Sequence, residues 1–186
     1  MKAIVCKEFG PPSALVLEEM DPLSPKKNEI LIDIHAAGVN FPDTLIIKDM
    51  YQFKPALPFT PGNEVAGIVS AVGEEVTNYK VGDEVMAMPP FGGYAEQIIA
   101  TPSQVSKKPA NMDFATAACF STTYGTSHYG LKDKAKLKEG ETVLILGASG
   151  GVGISAIEIA KAMGAKVIAA ASTDEKLVVC KEYGAD

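Results

Sequence analysis

The sequence is poor in the residues that announce a metal site or a disulfide framework. Its three cysteines, Cys6, Cys119 and Cys180, form no CxxC pair and are odd in number, and there are only two histidines, His35 and His128. That count argues against a cysteine-rich zinc site and against a disulfide scaffold, and it fits a reducing, cytoplasmic setting. Positive charge is short as well: 17 Lys and Arg stand against 23 Asp and Glu, a net charge of −6 with the signs interspersed. Nucleic acid is therefore not expected as a partner, and the one basic cluster, Lys132 to Lys138, reads as a solvated surface. No apolar run approaches the roughly 20 residues that cross a bilayer, so no membrane partner is expected. Nor is a signal peptide visible, because Met1-Lys2-Ala3-Ile4-Val5 leads straight into strand-like sequence. Internal repeats and low-complexity segments are missing too.

What the chain does have is a glycine turn in an informative setting. Gly147-Ala148-Ser149-Gly150-Gly151-Val152-Gly153 follows Thr142-Val143-Leu144-Ile145-Leu146, an apolar run that suits a strand buried on both faces. After it, Val152, Ala156, Ile159, Ala160 and Met163 recur at helical spacing and stop at Gly164, a C′ glycine. A second apolar run, Lys166 to Ala171, comes next. Strand, glycine turn, helix, strand is the opening half of a dinucleotide-binding fold, in which backbone N–H groups approach a pyrophosphate at a helix N-terminus. Ala148, Ser149, Gly150, Gly151, Val152 and Gly153 are the expected contacts.

The second apolar run bears on which nucleotide binds. Enzymes that prefer NAD place an acidic residue at its end to accept from the ribose 2′-OH. Here Ala171 stands at that place, followed by Ser172, Thr173 and Lys176, two hydroxyls and an ammonium that can donate to a 2′-phosphate. The expected cofactor is NADPH. A plainer role, Thr173 as a helix cap and Lys176 as a solvated side chain on its first turn, is compatible with that.

Upstream of the loop the sequence reads as many short strands. Ile30, Ile32, Ile34 and Ala36 share one strand face, with Leu31, Asp33 and His35 on the other. Lys2 to Lys7, Leu15 to Met20, Glu64 to Val72, Asp83 to Met88 and Tyr94 to Ala100 are further strands, separated by glycine- and proline-rich turns. From Asp113 the pattern turns alanine-rich and predicts one helix from Phe114 to about Leu131. The domain boundary is expected near residue 125, giving 1–125 and 126–186. At 186 residues and 47% hydrophobic content, the chain could hold one large domain or one and a half ordinary ones.

Gly38-Val39-Asn40-Phe41-Pro42-Asp43, Pro61-Gly62-Asn63-Glu64-Val65-Ala66-Gly67, Val81-Gly82-Asp83-Glu84-Val85 and Phe91-Gly92-Gly93-Tyr94-Ala95-Glu96 carry a resemblance. With the Ala148–Gly153 loop, they resemble the medium-chain dehydrogenase/reductases, specifically the zeta-crystallin-like quinone oxidoreductase branch. The resemblance implies an α/β plus β architecture: a GroES-like β-barrel catalytic domain followed by part of a Rossmann doubly wound parallel sheet. It implies an NADPH-dependent two-electron reduction in the cleft between the domains, and a homodimer at full length. Asn40 would sit by the nicotinamide, Tyr51 would donate to the acceptor oxygen, and Thr126 would stand beside the nicotinamide ring. Asn40 could instead be a turn residue, and Tyr51 a loop aromatic packed on its neighbours. A second active-site tyrosine of some members falls at Leu45, which makes the pocket more apolar.

In the zinc-dependent members a cysteine and a histidine occupy the positions that match Asn40 and Asn63. Neutral amides are poor zinc ligands, and Glu64 and Asp43 alone do not complete a site, so no catalytic metal is expected. A quinone or an α,β-unsaturated carbonyl accepts hydride without a Lewis acid, needing only donors near the developing oxygen charge. The expectation is a zinc-independent, NADPH-dependent oxidoreductase acting on such acceptors. The alternatives are a non-enzymatic NADPH-binding or structural, crystallin-like protein, and an alcohol dehydrogenase-like reductase. Because the chain stops at Asp186, where the family enters its third Rossmann strand, it reads as an amino-terminal portion, self-associating and inactive alone.

Overall fold

Alternation of apolar residues over Ile30–Ala37 (β3) turns Ile30 and Ile32 into a fully buried core, while His35 stays exposed. The computed structural model describes residues 1–186 and divides into two units, Met1–Cys119 and Phe120–Asp186. In the first, β3 is the second strand of a five-stranded antiparallel sheet. Its other strands are Val65–Val72 (β4), Glu84–Ala87 (β5), Gln97–Ala100 (β6) and Val105–Lys107 (β7), in the order β6-β3-β4-β5-β7. Lys2–Val5 (β1) and Val16–Glu19 (β2) pair separately, tied to the rest by bridges from Ala3 to Ala95 and from Cys6 to Phe59. The sheet core is Ile30, Ile32, Val65, Val69, Val85, Ala87, Ile98, Ala100 and Val105. These strands are shorter than the sequence pattern suggests, most of all at β6, which starts at Gln97 rather than Tyr94, and β1, which ends at Val5 rather than Lys7.

A short helix, Phe41–Ile46 (α1), follows β3 directly. Asn40 precedes it in extended conformation, and the Asp43 carboxylate accepts the Asn40 backbone N–H at 2.8 Å, closing the helix start. The single helix expected from Phe114 to about Leu131 is broken. Phe114–Ala117 (α2) starts on Asp113, whose carboxylate accepts from the Thr116 N–H at 2.8 Å, and ends at Ala118. Ala117 and Ala118 are buried beside Ala66, and the chain leaves the first unit at Cys119. Packing on the sheet therefore decides where this helix stops, which alanine content cannot reveal.

The second unit opens with Phe120–His128 (α3), which runs into a π-helical turn, Tyr129–Lys134. The expected boundary at residue 125 falls inside α3. Thr142–Leu146 (β8) pairs in parallel with Lys166–Ala170 (β9), Val143 opposite Val167 and Ile145 opposite Ala169. Gly151–Ala162 (α4) connects them and Asp174–Glu182 (α5) follows. Gly164, at φ +77°, ends the connection in the left-handed conformation expected of a C′ glycine. Ile145, Val167, Ala156, Ile157 and Ala160 form the core between sheet and helix. The opposite face of the sheet is uncovered: Leu144 is 58% and Leu146 76% exposed. No helix in the chain is long and apolar enough to cross a membrane.

Candidate active site and nucleotide-binding loop

The glycine turn after β8 divides its labour among three glycines. Gly147 takes φ +63°, the left-handed turn that reverses the chain out of the strand. A Cβ at Gly153 would lie 2.6 Å from the Ala148 backbone, so α4 could not pack this closely on the loop with a side chain there. Gly150 is different. Its φ of −81° suits any residue, and a Cβ would meet nothing nearer than the Gly147 carbonyl at 3.5 Å. Neither backbone nor packing requires this glycine, and a side chain here would reach only ordinary contact with the loop. Gly150 is also the N-cap of α4 and supplies no side-chain cap. Helix geometry leaves the N–H groups of Gly151, Val152 and Gly153 unpaired, and the first ladder bond runs from Ile154 to Gly150 at 2.8 Å. Ala148 is buried and Ser149 half-buried beneath this turn.

At the end of β9, Ala171 presents no carboxylate. Lys176 Nζ lies 3.0 Å from Ser172 Oγ, and Thr173 caps α5 by accepting from the Lys176 N–H at 3.4 Å. The cap and the cation therefore stand together, all three residues exposed. The Thr173 hydroxyl also holds the Glu175 carboxyl below its usual range. Asp174 and Glu175 add negative charge beside the cation, which the reading from Ser172, Thr173 and Lys176 left out of account. Thr126 is exposed on α3.

In the first unit the structure builds a polar cluster around Asn40. Its side-chain Nδ2 donates to Glu64 Oε2 at 3.0 Å, and its backbone N–H donates to Asp43 Oδ2. Both carboxylates are buried, Glu64 at 1% and Asp43 at 6% exposure. Tyr94 donates its phenol to the same Asp43 oxygen at 2.7 Å, and burial followed by this carboxylate pushes the Tyr94 hydroxyl well above its ordinary range. Asn63 Oδ1 is buried without a partner. One Asn40 N–H is thus committed to Glu64, leaving the second N–H and the carbonyl. Tyr51 is half-buried and packs on the cluster of Cys6, Ile46, Ile47 and Phe59. Leu45 is half-buried in α1. His35 stacks on Phe114 at 4.5 Å, and His128 closes α3, exposed. No three His, Cys, Asp or Glu side chains converge as a metal-binding group. The sequence reading set Glu64 and Asp43 aside as failed zinc ligands and missed their hold on Asn40. For Asp43 the signal was present in the motif spacing, since it stands three residues after an N-cap asparagine.

A parallel strand–glycine turn–helix–strand unit, preceded by an antiparallel β unit with a buried polar cluster, has the architecture of a β domain followed by the start of a Rossmann-type domain. Residues 26–110 match the family model of the alcohol dehydrogenase GroES-like domain, and residues 151–186 match that of the zinc-binding dehydrogenases. The chain belongs to the medium-chain dehydrogenase/reductase superfamily, with a GroES-like domain followed by the start of a Rossmann-type domain. It is 44% identical to the quinone oxidoreductase of Sus scrofa, over 100% of this chain and 57% of that protein. The Escherichia coli quinone oxidoreductase, solved with NADPH, superposes with a TM-score of 0.95 at 35% identity, covering 100% of this chain and 57% of that one. The CurK enoyl reductase superposes with a TM-score of 0.89 at 35% identity and the same coverage. The chain thus spans 57% of the length of these relatives.

Proposed function

We propose that the protein binds NADPH at the Gly147–Gly153 turn and reduces quinones or α,β-unsaturated carbonyls without zinc. The observation that carries the reading is Gly150, a glycine that neither its φ nor its neighbours explain and that faces open space at a helix N-terminus. When bound, NADPH supplies the hydride. The N–H groups of Gly151, Val152 and Gly153 would hold its pyrophosphate, with Ala148 and Ser149 shaping the turn beneath. Ser172, Thr173 and Lys176 would hold the 2′-phosphate, and Thr126 would stand beside the nicotinamide.

Asn40, held by Glu64, would present its remaining N–H to the nicotinamide and acceptor. Tyr51 would donate to the acceptor oxygen as charge develops there. Amides at the positions of Asn40 and Asn63 supply neither thiolate nor imidazole, which supports chemistry without zinc. The names of the relatives favour quinones, and the enoyl reductase among the structural neighbours keeps enones and enoyl thioesters in the panel. The test is NADPH consumption with 1,4-benzoquinone and with an enone, with and without a chelator, beside a cofactor titration. Turnover that survives chelation supports the reading. Tight binding with no turnover on any acceptor would favour a binding or structural protein, and chelator-sensitive turnover an alcohol dehydrogenase-like reductase.

A further inference from the structure

Two buried serines converge on the first turn of α4. Ser155 is 1% and Ser127 5% exposed, so neither hydroxyl is a surface group. Ser127 Oγ lies 2.8 Å from the Val152 carbonyl and 2.8 Å from Ser155 Oγ. Ser155 Oγ lies 3.0 Å from the Thr123 carbonyl of α3 and 2.9 Å from the Val152 carbonyl. Two hydroxyl protons cannot serve all these contacts at once. The pair is therefore a short relay, in which one serine donates to the other and the second donates onward to a carbonyl. Either order ties α3 to α4. The helices also touch at the loop itself, where a Cβ on Gly151 would stand 3.2 Å from the Thr123 methyl. Alanine would fill nearly the same volume at both positions, and a buried hydroxyl costs free energy unless it is paired. Polar residues here are not demanded by packing, yet they sit at the turn whose N–H groups point out of the loop.

We propose that Ser127 and Ser155 are positioning residues for the nucleotide. They hold the first turn of α4 against α3 and so fix the spacing between the loop N–H groups and Thr126, the neighbour of Ser127. The proposal rests on the reading of the loop as the NADPH site. It concerns the pyrophosphate side, which NADPH and NADH share, and not the 2′-phosphate side at Lys176.

The test is a titration of NADPH, NADH and adenosine 2′-monophosphate against the unmodified protein, Ser127→Ala, Ser155→Ala and the double variant. Each single variant should weaken NADPH and NADH by the same factor, about 3- to 30-fold. The double variant should be worse than either single one, because Ser155 keeps the Thr123 carbonyl in Ser127→Ala and Ser127 keeps the Val152 carbonyl in Ser155→Ala, and only the double change removes both ties between α3 and α4. Adenosine 2′-monophosphate should bind equally to all four. If one single variant is insoluble, the other carries the same comparison. Unchanged dinucleotide affinity overturns the proposal, and so does a loss shared equally by adenosine 2′-monophosphate, which marks a general loosening. If the unmodified protein binds neither dinucleotide, the reading of the loop itself falls; if it binds and the variants match it, only the serine proposal falls.

Discussion

The two units build their candidate sites from different materials. Around Asn40 the first unit uses side chains, two buried carboxylates that bond Asn40 and a phenol that bonds one of those carboxylates. At Gly147–Gly153 the second unit uses backbone, and its side chains matter mainly by being absent. A side-chain site is broken by deleting an atom, a backbone site by adding one. The two also differ in cover. The first unit packs Ile30, Ile32, Val65, Val69 and Val85 out of solvent entirely, whereas the second leaves Leu144 and Leu146 largely exposed on one sheet face.

The sharpest break of that comparison is a methyl-bearing residue at Gly150. Gly150→Val should leave the fold intact, since the backbone angle tolerates it and the nearest atom is an ordinary contact away. It should nonetheless weaken NADPH about 100-fold or more, because several bonds of about 1.5–3 kcal/mol each lose their approach. Gly153→Val should fail differently, by destabilising the second unit, with the Ala148 backbone only 2.6 Å from the new Cβ. Equilibrium binding and thermal melting of both variants separate the two roles. Intact binding by Gly150→Val would show that this turn is not where the phosphates lie.

Next in size is the one place where the second unit does rely on a side chain. Lys176→Ala should weaken NADPH about 10- to 100-fold and leave NADH nearly unchanged, since a charge-assisted bond to a phosphate is worth about 1.5–3 kcal/mol. Adding Ala171→Asp should turn preference toward NADH by giving the ribose hydroxyls an acceptor. The acidic first turn of α5, Asp174 and Glu175, opposes the phosphate and sets how much Lys176 must offset. Equal affinity of the unmodified protein for both nucleotides would remove the argument.

Backbone features were more legible in the sequence than side-chain ones. The loop, its flanking strands, the Gly164 stop and the Thr173 cap follow from local rules of spacing and turn chemistry, and the structure places each where those rules put it. The break between α2 and α3 was not legible, because it is set by Ala117 and Ala118 packing beside Ala66, some fifty residues away. The Glu64 hold on Asn40, the Tyr94 bond to Asp43 and the Ser127–Ser155 pair were hidden for the same reason. Each joins residues far apart in the chain, and periodicity does not see such pairs.

A smaller effect tests whether the side-chain site depends on atoms, as the comparison holds. Glu64→Ala removes the acceptor for Asn40 Nδ2 and leaves a half-buried amide N–H without it, which should cost about 1 kcal/mol of stability. Turnover should fall about tenfold as the Asn40 side chain loses its fixed direction, with little change in the KM for NADPH. Glu64→Gln keeps an acceptor at the same reach and should recover most of the rate. If Glu64→Gln and Glu64→Ala are equally impaired, the carboxylate has a role other than orienting Asn40.

The smallest effect compares the units through their tyrosines at alkaline pH. Tyr94 is raised in the folded protein by burial and then by Asp43, and Tyr124 is pushed up to about 12, first by its bond to Glu158 and then by burial. In the unfolded chain both phenols ionise near pH 10. A group raised in the folded state contributes its stability in full below the unfolded value and loses it as pH climbs toward the folded one. The window for Tyr124 thus runs from about pH 10 to about 12, while that for Tyr94 opens at the same point and extends further. Melting followed from roughly pH 9 upward should show stability falling, with similar relief in Tyr94→Phe and Tyr124→Phe up to about pH 11 and relief that stops growing first in Tyr124→Phe as pH passes about 12. Relief that keeps growing equally in the two variants above about pH 12 would mean that the carboxylate cluster of the first unit holds its phenol no more firmly than the Glu158 pair holds Tyr124.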